Sequence, residues 1–203
     1  MDELGVSEAD LAELAVLMRA NAATHPGAQF REPITVGDVL ASKPIARPLK
    51  LLDCCATADG AVAFVVSRER TGTAAVRIIG AGQAHTHQHI SEAPSLTEFG
   101  ARLSMDRAIA ATGRKLTTTD ADYLAIYDSF TITLAILLEE LGLARRGEAC
   151  GLARDGYFSR TGTKPLNTHG GLMSYGHCGV AGALAHLVET QLQMTGRAEN
   201  RQV

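Results

Sequence analysis

The chain has 203 residues, a formal net charge of −3 and 46% hydrophobic residues, enough for a sizeable core in one large domain or two small ones. No stretch gathers Lys or Arg on one helical face, so nucleic acid and an anionic membrane surface are excluded as expected partners. No window approaches the run of about 20 apolar residues that a membrane span needs, and the acidic opening MDELGVSEADLAEL lacks the basic start of a secretory leader; the cytoplasm is the expected address.

Ser7 and Asp10 form a helix-start signature ahead of Leu11, Leu14, Ala15 and Met18, spaced i, i+3, i+4, i+7, and that helix ends before Pro26. Residues 30–50 carry three prolines and no sustained period, which predicts an irregular surface connection. Cys54 and Cys55 read as small hydrophobes. A disulfide between these neighbours would be strained, and the four cysteines (54, 55, 150 and 178) form no CxxC pair, so reduced thiols are expected. AVAFVVS (61–67) and AAVRIIG (74–80) predict two neighbouring strands, the first buried on both faces, with Asp59-Gly60-Ala61 as the turn leading in.

His85, His87 and His89 alternate as a metal clasp would, but no carboxylate or thiol accompanies them, and a solvated interdomain loop with no metal is expected. Ser95 and Glu98 predict a capping box before a helix presenting Phe99, Leu103 and Ala110, which places a domain boundary near residue 92. Asp122–Tyr127 reads as a short strand and Thr131–Leu141 as a helix apolar nearly all round. Residues 142–166 read as loop, and a last helix from about 179 to Gly196 is expected to bury Ala181, Leu184, Ala185, Val188 and Leu192. Alternating strands and helices argue for an α/β fold.

Two places could carry chemistry. His177 precedes a helix start flanked by the small residues Gly179, Ala181 and Gly182, where the helix dipole favours a neutral ring able to act as a base; a core histidine held by backbone hydrogen bonds explains the same residue. Cys178 gains thiolate character from the same helix end, although adjacent side chains usually point apart. Tyr127 stands at the carboxyl end of a strand, where open α/β sheets place ligands and a phenol can donate to a developing oxyanion. A half-buried structural tyrosine is the alternative.

Three ordered segments resemble the thiolase superfamily, in the branch of sterol-carrier-protein thiolases and thiolase-like lipid-transfer proteins. AQFREPITVGDVLASKPIARPLKLLDCCATADGAVAFVVS is similar to the stretch ending in the family's Asp-Gly-Ala strand. AIYDSF resembles the strand-end motif that is Asn-Glu-Ala-Phe in ordinary thiolases and His-Asp-Cys-Phe in this branch. NTHGGLMSYGHCGVAGALAHLVE resembles the Asn-x-x-Gly-Gly…Gly-His-Pro motif and its helix.

The resemblance implies a layered αβαβα sandwich present only in part: residues 1–91 as the second part of the amino-terminal domain with its linker, and residues 92–203 as the carboxy-terminal domain without its final strands. It implies acyl transfer or carbon–carbon cleavage on a coenzyme A thioester in lipid or steroid side-chain metabolism, with no bound cofactor and the thioester as substrate. It assigns His177, Tyr127 and Cys178 to catalysis and Asn167, Gly170, Gly171, Tyr175 and Gly176 to substrate binding, the glycines leaving room for a pantetheine arm. Tyr127 stands where the family has Asn or His, as in related aldolases that use tyrosines, and Cys178 replaces a proline. By the same resemblance the nucleophilic cysteine belongs before the first residue here and a second catalytic Cys or His after the last. A chain inactive alone is therefore expected, as a homodimer or as a heteromer with a polypeptide supplying the missing half; a non-catalytic subunit is the alternative.

Overall fold

In the computed structural model, residues 1–69, 72 and 75–203 are described. Helix α1 (Glu8–Ala22) opens on a reciprocal cap: Ser7 Oγ accepts the Asp10 N–H at 3.1 Å and the Asp10 carboxylate accepts the Ser7 N–H at 2.9 Å. Residues 30–50 are more regular than expected, containing α2 (Val36–Ala41) and an antiparallel hairpin of β1 (Pro44–Ala46) and β2 (Leu49–Lys50). Thr35 and Asp38 cap α2 reciprocally, the same signal that marks α1 and one masked by the surrounding prolines.

Residues 61–67 and 75–80 do not form the expected pair of strands, and Ala74 lies outside the described residues. Phe64, Val65 and Val66 are exposed, Val65 at 95%, so the expected two-sided burial is overturned: nothing among the described residues lies alongside to cover them. Helix α3 (Ala101–Ala111) starts at Gly100, φ 90°, rather than at a Ser95–Glu98 box. Its opening N–H groups are taken by Glu140, whose carboxylate accepts from Phe99, Gly100 and Arg102 at 3.0, 2.8 and 3.3 Å, while Ser95 Oγ accepts the Thr97 N–H.

Helix α4 (Thr131–Glu140) lies where expected, and α5 (Ala149–Arg154) stands inside the segment read as loop. The short α6 (Gly171–Ser174) follows, then a 3-10 turn at Gly179–Ala181 and α7 (Gly182–Met194). Helix α1 is the hub, packed on α2, α4, α5 and α6. Leu14, Met18, Val39, Leu134, Leu138, Phe158, Leu166 and Leu172 are among the fully buried apolar side chains in and around it, each worth about 1.5–3 kcal/mol of burial.

Helix α7 reverses expectation. Its buried stripe is Gly182, His186, Glu189 and Gln193, whereas Val188 is exposed and Ala181, Leu184, Ala185 and Leu192 only half-buried. Glu189 is satisfied internally: Arg201 donates to both its oxygens at 3.1 and 3.2 Å, and Thr168 and Gln193 donate to the first at 2.7 and 3.2 Å, whereas neither ring nitrogen of His186 has a hydrogen-bond partner. No helix among the described residues is long and apolar enough to cross a membrane.

Candidate active site

Three extended segments converge on the site. Residues 54–58 run between the other two: Cys54 bridges Phe130 antiparallel and Thr57 bridges His177 in parallel. Cys55 donates its N–H to Ser129 O at 2.9 Å, His177 donates to Ala56 O at 2.9 Å, and Ala58 donates to His177 O at 3.0 Å. This stitch sets the Tyr127 segment and the His177 segment at a fixed spacing across one strand's width.

Tyr127 Oη then lies 2.8 Å from His177 Nε2, with ring centroids 5.8 Å apart and the rings nearly perpendicular at 86°. His177 Nδ1 accepts the Gly179 N–H at 3.1 Å, which fixes the tautomer. With Nδ1 committed as acceptor, the neutral ring carries its proton on Nε2 and donates it to the Tyr127 oxygen. The phenol O–H is left to point elsewhere, and Tyr127 is 38% exposed. Gly182 makes room for the ring: a Cβ there would sit 3.2 Å from Nδ1.

Cys178 does not join this pair. Side chains alternate along an extended segment, so Gly176 and Cys178 face away from His177, and Cys178 Sγ lies where a Cβ on Gly60 would be 3.0 Å from it. Both line a cleft of about 720 Å³ between residues 58–63 and α7, whose walls also include Tyr175, His169 and Glu189. That cleft includes neither Tyr127 nor His177 in its lining.

Asn167, Gly170 and Gly171 are buried and hold the frame. Asn167, at φ 45°, clamps the residue before Tyr127: its Oδ1 accepts the Ile126 N–H at 2.9 Å and its Nδ2 donates to Ile126 O at 2.8 Å. A Cβ on Gly170 would fall 2.4 Å from Ala22 of α1, and one on Gly171 would strike the Asp128 carboxylate at 1.9 Å.

Sequence reasoning placed Asp128 beside Tyr127 at the strand end and gave it no role of its own. It is fully buried, accepts from the Leu172 and Met173 N–H groups at 2.7 and 3.4 Å, and lies 3.4 Å from His186 Nε2. Burial pushes its carboxyl above the usual range, against the pull of His186 and the two N–H groups. His169, also buried, has no hydrogen-bond partner on either ring nitrogen, and its pKa is driven well below 6.5 by burial, then by His186, His25 and Arg201. The other thiols are quenched: burial raises Cys54 and Cys55, helped by Asp53 and Asp128 respectively, and pushes Cys150 up to about 12.

The histidine-rich loop is locally occupied. His85 Nε2 contacts Gln83 at 2.9 Å and His87 Nδ1 contacts Thr86 at 2.8 Å; among the described residues no three His, Cys, Asp or Glu converge as a metal site.

Residues 82–203 match the family model described as thiolase C-terminal domain-like. The chain is 34% identical, over 208 aligned positions, to an acetyl-CoA acetyltransferase of Methanothermobacter thermautotrophicus, covering 100% of this chain and 54% of that protein. It is 36% identical to a steroid side-chain-cleaving aldolase of Thermomonospora curvata, covering 98% of this chain and 54% of that one. The solved structure of an Ltp2-ChsH2(DUF35) aldolase superposes with a TM-score of 0.85 at 31% identity, over 99% of this chain and 54% of that chain. The fold is therefore thiolase-like, and the chain spans about half the length of the curated relatives it matches.

Proposed function

The chain belongs to the thiolase C-terminal domain-like family, and on that premise we propose that it supplies the oxyanion-stabilising part of an enzyme that cleaves a carbon–carbon bond in an acyl-coenzyme A thioester. The observation that carries the reading is the Tyr127–His177 contact with its fixed tautomer. A His177 Nε2–H donating to Oη makes the phenol O–H a stronger donor, because successive hydrogen bonds polarise one another. Aimed at a thioester oxygen, that O–H stabilises the enolate left when the Cα–Cβ bond of a 3-hydroxyacyl thioester breaks, the 3-hydroxyl giving its proton to a base in the rest of the site as its carbon becomes a carbonyl and the enolate then taking up a proton at Cα.

This arrangement favours cleavage over thiolysis. Thiolysis passes through an acyl-enzyme and needs a thiol that a base can activate. Here His177 Nε2 is committed as a donor towards Tyr127 and is not free to serve as the base for a thiol. The names of the relatives include both an acetyltransferase and a side-chain-cleaving aldolase, and the Tyr-His pair favours the second kind. The acyl-coenzyme A thioester is substrate, and the rest of the site belongs to the part of the fold equivalent to the relatives' remaining length.

The test is turnover of a 3-hydroxyacyl-coenzyme A thioester by the completed complex. Tyr127→Phe should lower kcat by about 10²–10³, the effect of deleting one oxyanion donor, with little change in KM. Unchanged kcat removes Tyr127 from the chemistry and leaves the non-catalytic subunit as the better account.

A further inference from the structure

Two buried imidazoles lie outside the Tyr127–His177 pair. His186 stands on the inward face of α7 at 4% exposure and His169 meets it from the turn before α6 at 1%, their ring centroids 5.0 Å apart and their planes at 85°. Neither ring has a hydrogen-bond partner on either nitrogen, and polar groups buried in that state are rare in a native interior. What His186 does have is a carboxylate: its Nε2 lies 3.4 Å from Asp128 Oδ1, within ion-pair range though not aligned as a hydrogen bond. A Coulombic attraction needs no such alignment.

Asp128 joins the two halves of the candidate site. It adjoins Tyr127 in the chain, and its carboxylate accepts the Leu172 and Met173 N–H groups of α6, the helix that leads through Tyr175 to His177. As an anion it makes charge-assisted bonds, roughly twice as strong as those of a neutral group, so its protonation slackens the tie between the segments carrying Tyr127 and His177. The other charged groups around His186 are engaged elsewhere. Glu189, one turn along α7, is held by Arg201, Thr168 and Gln193, and Arg201 is spent on it. His169 is driven towards the neutral form by burial, His25 stands beyond it on the far side of the Tyr175 ring, and Cys55, on the other flank of Asp128, has its thiol raised by burial and then by that carboxylate. Among the described residues no Lys or Arg forms an ion pair with Asp128, which leaves His186 placed to supply the positive charge.

We propose that His186 is a positioning residue: a proton on its ring keeps Asp128 ionised, and the ionised carboxylate holds Tyr127 and His177 at their 2.8 Å contact. The inference rests on the Tyr127 reading above for its effect on turnover, and on geometry alone for its effect on the pair. The sign follows from the surroundings of Asp128. Burial pushes its carboxyl above the ordinary range and His186 pulls it back down, so acidification protonates Asp128 earlier than an exposed aspartate. Removing His186 moves that event to higher pH still.

The test follows the Asp128 Cγ, Leu172 amide and Tyr127 Cζ signals of the 203-residue protein by NMR, from about pH 8 down to the onset of unfolding. The three signals should share one midpoint, and His186→Gln, which cannot titrate, should move it up by about one pH unit or more. Repeating the titration in His177→Gln removes that ring's own ionisation, and the Tyr127 step should persist there. A midpoint that His186→Gln leaves in place overturns the proposal, as does a Tyr127 signal that fails to follow Asp128 in His177→Gln. Should His186→Gln not fold, the wild-type spectra decide: the His186 Cε1 signal must step at the Asp128 midpoint, as coupled groups do, and a signal flat through it overturns the proposal. In the completed complex His186→Gln should shift the acid limb of kcat upward by the same interval, with the plateau kcat and KM little changed. A lower plateau with an unmoved limb would mean that His186 only packs. Coincident NMR steps with turnover indifferent to Tyr127→Phe would defeat the proposed chemistry and leave the positioning pair standing.

Discussion

Asn167 grips Ile126 by both backbone groups, accepting its N–H and donating to its carbonyl at 2.9 and 2.8 Å, and so sets the direction in which the next residue, Tyr127, leaves the chain. Removing the amide orphans two half-buried backbone groups of Ile126 and puts a non-Asn residue at φ 45°. Asn167→Ala should therefore cost about 2–3 kcal/mol in urea denaturation. Asn167→Asp should also destabilise, because its second oxygen would face the Ile126 carbonyl; a destabilisation under about 0.5 kcal/mol for both would show that the clamp is incidental.

The Arg201–Glu189 pair ties the last residues of the chain to α7 in a nearly sealed environment, 3% and 2% exposed. Arg201→Ala leaves a buried carboxylate without its cation and should cost about 3–5 kcal/mol. Adding Glu189→Gln should recover much of that loss, since Thr168 and Arg201 would no longer be needed to hold a charge. Equal instability of the single and double variants would mean that packing, not charge, is what Arg201 contributes.

Stability should depend on pH through His169. Burial lowers its native pKa below the unfolded value of 6.5, so between those two values the unfolded chain binds more protons than the native one. Stability then rises with pH across that window and is lost as pH falls from 7 towards 5, by at most about 1.4 kcal/mol per pH unit from this residue. His25, also lowered by burial, acts in the same sense, and Asp128, whose pKa is raised, acts in the opposite one. Comparing thermal midpoints at pH 5 and pH 7 for the wild type and His169→Phe isolates the effect. The wild type should lose more on acidification than the variant.

The parts of the molecule governed by local rules were legible in the sequence. Ser7 with Asp10 marked the start of α1, and the leucines of α4 marked a buried helix, because capping and apolar periodicity act within a few residues. The resemblance gathered Tyr127 and His177 from 50 positions apart, which no local pattern could do. What failed was any inference that needed a partner. The valines of 61–67 read as a buried strand because their composition suits one, but burial is a property of what lies alongside. The apolar stripe of α7 was assigned inward for the same reason, and only tertiary contacts show that Glu189 can face inward once Arg201 neutralises it. Asn167, Gly170 and Gly171 were legible as residues of consequence, while their frame-holding contacts with Ile126, Ala22 and Asp128 required coordinates.

The 203-residue polypeptide alone should not thiolyse acetoacetyl-coenzyme A above background in a thioester absorbance assay. Cys178 Sγ lies against Gly60 rather than His177, and burial raises the pKa of the other three thiols, so no thiol is placed for His177 to activate. Clear turnover abolished by Cys178→Ala would show that the 176–178 segment rotates to bring that thiol to the base.

The most direct test of the account is the protonation pattern of the His177 ring in the 203-residue protein at pH 7.5, read from a long-range nitrogen–proton correlation spectrum assigned with His177→Gln. The structure places an N–H donor, Gly179, on Nδ1 and the Tyr127 oxygen on Nε2. The account predicts a proton on Nε2 alone, with the Nε2 signal perturbed in Tyr127→Phe, since the oxyanion donor depends on that relay. A ring protonated on Nδ1, or an Nε2 signal indifferent to loss of the phenol oxygen, would contradict it.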